Sequence, residues 1–350
     1  MKKFLVISAA LAVVLVLSAC AAPTPETVVV TAPPVVQTVL QVQTALPAEG
    51  SQEIAVIVKT GNSSFWQNVQ TGASAAQKEL QAQTPKLTVT FLGAQSESNI
   101  NEEINIVESA INRGVKAIVL APSDVTALQA PVAKAKAAGI PVIIIDSKLN
   151  GDPSQYTAFL ATDNNAAGEA CAKALIDAIK AKTGKDEGKI AIMSYVKGVG
   201  SEIGRVGGFT AYIQKNSHLT IVTTQYSNAD MPTALDQTTN VLTANPDLVG
   251  IFGANEPTAI GMGRAIQNMK LQGKLVAIGF DGNSVLASMI KDGTLQAIAV
   301  QSSFNMGYLG VKTAYDVAFN HKTVDAYVDT GFLMVTKDNI DSQDAKNVLY

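Results

Sequence analysis

From Ile54 onward, short runs of apolar residues rich in Ile and Val alternate with longer segments whose apolar positions recur every three or four residues. That rhythm predicts strands and helices in turn. Strands are expected at Ile54–Val58, Leu87–Leu92, Ala117–Leu120 and Ile140–Ile145, and helices near 64–82, 99–113 and 125–138. In the second helix Ile100, Ile104, Val107 and Ile111 form one apolar stripe, with Glu102, Glu103 and Glu108 expected off it. After a break at Asn150–Gln155, which holds Gly151 and Pro153, the alternation resumes. Strands are expected at Ile190–Ser194, Thr220–Thr224, Leu248–Phe252, Val276–Phe280 and Ala297–Val300. Helices fit near 164–181, 202–216, 232–244, 257–271, 284–291 and 304–320.

Strands that are apolar almost throughout, separated by helices, imply parallel sheets covered on both faces. Two successive sets of such units imply an α/β fold of two doubly wound lobes. In sheets of this kind ligands bind beyond the carboxyl ends of the strands, where helix N-termini and loop side chains converge. Following the strands outward gives Lys59 and Thr60, then Asp146, Asn255, Asp281 and Gln301. Phe65 and Trp66, the latter the only tryptophan, follow the first strand closely. Carboxylates and amides share hydrogen bonds with pairs of hydroxyls, and aromatic faces cover the C–H patches of a sugar ring. Each residue also has a plainer reading. Asp and Asn at strand ends serve as turn formers and helix caps. Asn255-Glu256-Pro257 reads as a helix start, and Phe65 and Trp66 suit a plug under the first helix.

The N-terminal end is built differently. Lys2-Lys3 leads into an apolar stretch, Phe4 to Leu17, shorter than the roughly 20 residues of a spanning helix. Residues 1–19 therefore read as a signal peptide. Leu17-Ser18-Ala19-Cys20 resembles the bacterial lipobox, which implies cleavage before Cys20 and lipid on it. Residues 20–50, with Pro23, Pro25, Pro33, Pro34 and Pro47, read as the lipidated cysteine and an extended tether. The first nineteen residues hold two of the 26 basic residues and none of the 29 acidic ones, so the remainder carries a formal charge of −5. A mildly acidic chain is poorly suited to clamping nucleic acid phosphates. Apolar residues make up 47% and charged residues 16%, below the roughly 25% usual for soluble domains, which excludes disorder for the bulk of the chain. With Cys20 taken by lipid, Cys171 has no partner, so neither a disulfide framework nor a multi-cysteine metal site is available. Cys171 reads as a small packed residue in an alanine-rich helix.

Several segments, in order, resemble the ribose-type periplasmic sugar-binding proteins, the substrate-binding subunits of ABC importers, which share a fold with LacI-type regulators. They are Glu53–Leu80, Gly139–Asp146 (GIPVIIID), Gly204–Phe209 (GRVGGF), Asn245–Gly261, Ala277–Gly282 (AIGFDG) and Val300–Ala314. The resemblance spans nearly all of residues 52–340. It implies two α/β lobes joined by a hinge of three crossing strands, closing on one monosaccharide or sugar alcohol, with neither cofactor nor metal. The N-terminal lobe would comprise 51–162 plus 302–330, and the C-terminal lobe 163–301 plus 331–350. Carried over by position, the ligand-binding residues would be Lys59, Ser63, Phe65, Trp66, Asp146, Ser147, Arg205, Asn255, Asp281 and Gln301. Asp146 and Arg205 would hold ring hydroxyls from opposite lobes, and Ala161–Asn164 would be the first crossing. The implied partners are the ABC permease subunits, with an extracytoplasmic lipid tie to the cell membrane, on its periplasmic side or outer surface, and a monomeric receptor.

Three departures from that family stand out. Its ribose binders carry an arginine after the aspartate matching Asp146, where this chain has Ser147, too short to supply a forked guanidinium. Lys59 stands where they have a small hydroxyl residue, and it is expected to reach in from the neighbouring strand and restore one cation. An aromatic that the family places near Asn228-Ala229-Asp230 is absent. An enzyme reading finds only His218 and His321, both expected at helix ends, and none of the Gly-x-Ser-x-Gly, His-Glu-x-x-His or Walker patterns. Gly198-Val199-Gly200 with Gly204 is a weak glycine cluster, and the next strand ends in Thr223-Thr224-Gln225 without the acid of a dinucleotide site. A LacI-type regulator would need a helix-turn-helix where the tether stands. The open alternatives are a receptor signalling to a chemotaxis or sensor-kinase partner, or one binding a nucleoside or autoinducer.

Overall fold

Every apolar run of the alternating pattern forms a parallel strand. In the computed structural model, which describes residues 51–350, β1 (Glu53–Val58), β2 (Thr88–Gly93), β3 (Ala117–Leu120), β4 (Val142–Ile145), β5 (Ala158–Ala161) and β11 (Tyr327–Asp329) make one six-stranded sheet in the order β11-β5-β4-β3-β1-β2. A second sheet holds β6 (Glu187–Ser194), β7 (His218–Tyr226), β8 (Leu248–Gly253), β9 (Val276–Phe280), β10 (Ala297–Gln301) and β12 (Phe332–Thr336) in the order β12-β10-β9-β8-β6-β7. All pairings are parallel except β10 with β12. Each lobe thus reverses its strand order once, at β1/β3 and at β6/β8, the switch points beside which doubly wound sheets bind ligands. The signal peptide, Cys20 and the tether lie outside the described residues. Among those described, no helix is long and apolar enough to cross a membrane.

Among the described residues ten helices cover the sheets. Those that position the site are α1 (Ser64–Leu80), α4 (Asn164–Thr183), α5 (Gly200–Asn216), α7 (Glu256–Asn268) and α9 (Ser303–Ala318). They pair closely within each lobe, α1 on α9 and α4 on α5. A methyl on Gly168 of α4 would overlap the Arg205 carbonyl oxygen of α5, and one on Gly72 of α1 would overlap that of Phe304 in α9. Glycine at these crossings brings the backbones together and sets where Arg205 and Trp66 emerge.

Four short elements escape the sequence reading: β5, β11, β12 and the terminal helix α10 (Gln343–Val348). The pairings β5–β4, β11–β5 and β12–β10 add them to the sheets, so the sheet edge and not local pattern defines these strands. Ala161–Asp163, Gln301–Ser303 and Asp329–Phe332 connect the two sheets, and the first and third are tied by Thr330 N–H to the Ala161 carbonyl and Thr162 Oγ1 to the Gly331 carbonyl. Glu103 corrects the helical stripe. In α2 (Ile100–Asn112) it is fully buried beside Val107, Ala110 and Ile111. It lies one turn before Val107 on the inner face, where its carboxylate accepts the Ser123 N–H at 2.9 Å. Its pKa rises to about 7, because burial outweighs that bond.

Candidate functional site

The N-terminal lobe contributes side chains from the ends of β1 and β4. Asp146 leaves β4 with φ 61°, a left-handed conformation that is costly for a residue other than Gly and aims its carboxylate across the sheet. Lys59, 2% exposed, donates to Asp146 Oδ2 at 2.6 Å and Ser147 Oγ at 2.7 Å, and reaches Ser201 Oγ of the other lobe at 3.4 Å. Ser147 Oγ donates to the same Asp146 oxygen at 2.7 Å. All three ammonium protons therefore have protein acceptors. Lys59 does not stand on the strand next to Asp146, because β3 lies between β1 and β4. Its long stem therefore spans the width of the intervening strand β3 to reach Asp146.

Ser63 caps α1 by accepting the Trp66 N–H, and the first turn carries Phe65 and Trp66, packed edge to face with centroids 4.8 Å apart. Both belong to the lobe core and line the cleft, so the plug reading and the ligand reading describe one position. The indole Nε1 donates to Glu97 Oε1 at 2.9 Å. Glu97, in the loop after β2, lines the cleft, and burial pushes its pKa up. It escaped the sequence reading because Gln95–Ser98 is a polar loop without periodicity; its position one strand from the switch point was the available signal.

In the C-terminal lobe, Arg205 of α5 is 2% exposed and makes no ion pair among the described residues. It donates twice to Asn164 Oδ1, at 3.1 and 2.7 Å, and to the Ala254 carbonyl at 2.6 Å, and it lies 3.5 Å over the Phe280 ring. Tyr195 at the end of β6 stands 5.5 Å from the guanidinium and donates to Ser201 Oγ at 2.9 Å. Tyr195 supplies an aromatic to this lobe that the stretch 228–230 lacks; it sits one residue beyond the expected strand. Asp281 mirrors Asp146, leaving β9 with φ 72°. It accepts from Gln301 Nε2 at 2.8 Å and from the Glu256 N–H at 2.9 Å. Burial raises its pKa to about 6 despite Arg205 nearby. Glu256 is raised to about 7 by burial and by the neighbouring Asp281 charge. Asn255 caps α7 through the Thr258 N–H and lines the cleft as well.

Nine of the ten expected binding residues line one narrow space of about 20 Å³ between the lobes, and Ser147 stands just behind, on Lys59 and Asp146. Glu97, Tyr195, Ser201, Glu256 and Pro257 complete the lining. Among the described residues the buried acceptor Gln301 Oε1 at this lining has no hydrogen-bond partner, and the Tyr350 hydroxyl stands beside the Glu256 carboxyl. His218 and His321 are exposed and far from this cleft in the chain's layout, at the start of β7 and after α9.

Two α/β lobes on a three-strand hinge, with polar strand ends facing each other across a closed cleft, define a solute receptor of the type 1 periplasmic-binding-protein fold. The family model described as a periplasmic binding protein domain matches residues 54–322, and the chain belongs to that family, whose members are transport receptors and not enzymes. It is 30% identical over 282 residues to the D-allose-binding periplasmic protein of Escherichia coli, covering 79% of this chain and 88% of that one. Among solved structures, an ABC transporter solute binding protein from Agrobacterium vitis with bound D-fucose is 58% identical, with a TM-score of 0.82 over 85% of this chain and 100% of its own. One from Agrobacterium radiobacter in complex with D-arabinose is 36% identical, with a TM-score of 0.82 over 87% and 100%.

Proposed function

We propose that this protein captures one monosaccharide, a pentose, hexose or sugar alcohol, between its lobes by hinge closure and presents it to an ABC importer. The observation that carries this reading is the interlobe space whose buried acceptor Gln301 Oε1 has no donor among the described residues while Trp66 and Tyr195 offer aromatic surface. Buried acceptors without partners are costly, and hydroxyls of a neutral sugar satisfy them without adding charge. The relatives' D-fucose, D-arabinose and D-allose support the same ligand class. Asp146 from one lobe and Arg205, Asn255, Asp281 and Gln301 from the other act as the ligand's hydrogen-bonding groups, and Lys59 with Ser147 holds Asp146 in place. A ligand that contacts both lobes stabilises the closed form by its differential affinity for it.

The lobes proposed to move are 51–162 plus 302–330 and 163–301 plus 331–350. After removal of the signal peptide, the lipid on Cys20 and the tether would keep a monomeric receptor near its permease outside the cell membrane. A thermal-shift screen of the purified protein against monosaccharides, polyols, nucleosides and amino acids tests the ligand class. A cognate ligand at 100 times its Kd adds roughly 2.7 kcal/mol. A shift with nucleosides or amino acids and none with any sugar or polyol refutes the saccharide assignment.

A further inference from the structure

Two helices point their N-termini at the interlobe cleft, one from each lobe, and each has a backbone N–H satisfied by the opposite lobe. Ser64 N–H, at the first residue of α1, donates to Glu256 Oε1 at 2.9 Å. Ser201 N–H, at the second residue of α5, donates to Ser147 Oγ at 3.3 Å. The first N–H groups of a helix have no partner within it and carry partial positive charge. Neither helix answers these two itself: the Ser63 side chain is used by the Trp66 N–H, and Val199, the N-cap of α5, offers no side-chain acceptor.

Gly200 belongs to the same contact. A methyl group there would lie 2.6 Å from the Lys148 carbonyl oxygen and 3.0 Å from the Lys148 nitrogen, both in the other lobe. Its φ is not in the left-handed region, so its own backbone does not call for glycine, and a helix start tolerates alanine. The need for glycine arises only when the lobes meet. The glycine cluster at 198–204, which suggests no nucleotide site, thus has a steric use at its third residue.

We infer that the closed form is latched by two reciprocal helix caps, Glu256 on α1 and Ser147 on α5, with Ser64 and Gly200 as closure-determining positions that do not line the ligand space. The inference rests on the hinge-closure reading above. In the open form both N–H groups face water; in the closed form each receives an oxygen from the opposite lobe. Closure therefore gains bonds that owe nothing to the ligand's identity, and the short Ser147 side chain is what admits the α5 terminus.

Ser64→Pro and Gly200→Ala test the latch without altering a group that lines the ligand space. Proline lacks the N–H yet suits the first helical position, and Ser63 before it is extended at φ −111°, ψ 154°, as a pre-proline residue must be. Alanine at 200 is a better helix former than glycine, so the ligand-free fold should hold. D-fucose, D-arabinose and D-allose are titrated into the wild type and both variants by calorimetry, with stopped-flow release rates and ligand-free melting curves. The expected result is at least a tenfold weaker Kd in each variant, expressed mainly as faster release, with ligand-free melting unchanged. Affinities within about twofold of wild type in both variants overturn the latch, as does a loss matched by equal destabilisation of the ligand-free protein. If the wild type binds a nucleoside or amino acid and no sugar, the saccharide reading fails; the variants are then compared with that ligand, and the same two outcomes decide the latch.

Discussion

Asp146 in the N-terminal lobe and Asp281 in the C-terminal lobe leave corresponding strands with nearly the same left-handed backbone, φ 61° and 72°, and their surroundings differ. Asp146 is bonded to a lysine ammonium and a serine hydroxyl. Asp281 is bonded to an amide and a backbone N–H, while the lobe's own cation, Arg205, spends its donors on Asn164 and the Ala254 carbonyl. The N-terminal lobe thus holds a finished ion pair, whereas the C-terminal lobe holds a buried carboxylate and a buried guanidinium that share no bond. A ligand entering the first meets a network already satisfied. In the second it meets charges whose bonding is incomplete, so the C-terminal lobe is where ligand contact changes the energy most.

The sharpest way to break this comparison is to neutralise each aspartate. Lys59→Met leaves Asp146 buried without its cation and should cost about 3–5 kcal/mol in urea unfolding, as one-sided removal of a buried pair does. Affinity for the identified ligand should fall more than tenfold, and a change within twofold would show Lys59 to be dispensable. Asp146→Asn should destabilise on a similar scale by stranding Lys59. Asp281→Asn, which also tolerates positive φ, should leave stability at pH 8 within about 1 kcal/mol or raise it, since burial already opposes the charge, while ligand binding weakens. Equal losses in the two Asn variants would end the distinction between the lobes.

Next in size is the pH dependence. Folded-state pKa values of about 6 for Asp281 and about 7 for Glu256 lie above those of free carboxyls. A raised carboxyl pKa contributes its stability fully below the unfolded value and loses it as pH rises through the folded one. Closure should therefore be opposed as pH rises from about 5 to 8, read as weakening ligand affinity, and Asp281→Asn combined with Glu256→Gln should flatten that slope. Glu103, at about 7 in the N-terminal lobe, adds to the same window. Glu103→Gln should remove its share and raise the melting point at pH 8. A wild-type melting point that climbs from pH 5 to 8 contradicts the Glu103 assignment, and an affinity that strengthens over the same range contradicts the other two.

The smallest expected effect is Trp66→Phe, which keeps an aromatic face and deletes the donor to Glu97. About 1 kcal/mol of affinity should be lost, the net worth of one hydrogen bond, measured by calorimetry. Glu97→Gln, which retains an acceptor for the indole, should lose less than Trp66→Phe; the reverse order would mean that Glu97 matters through its charge.

The long elements were legible because parallel strands buried on both faces need unbroken apolar runs, and amphipathic helices need their stripe. Val276–Phe280 and Ser284–Lys291 agree with the expected bounds to the residue. Asp146, Asn255 and Asp281 were legible because a strand end in a doubly wound sheet has a known address. Glu97 and Tyr195 were not, since a loop acid and an aromatic just past a strand have no periodicity to place them. Nor was Glu103, whose charge argued for the surface while its spacing from Val107 put it inside.

What the sequence by itself determined about this protein is the order of its units, the two doubly wound lobes and the strand ends from which polar groups project, because these follow from local periodicity and from chain topology. Only the tertiary structure decided which charges pair and which helix start caps against which lobe. Lys59 reaches Asp146 over an intervening strand, Arg205 lies on Phe280 and forms no bond with Asp281, and Ser64 meets Glu256 from 192 residues away. Such contacts depend on how two lobes are set against each other in space, and no local pattern in a chain carries that distance.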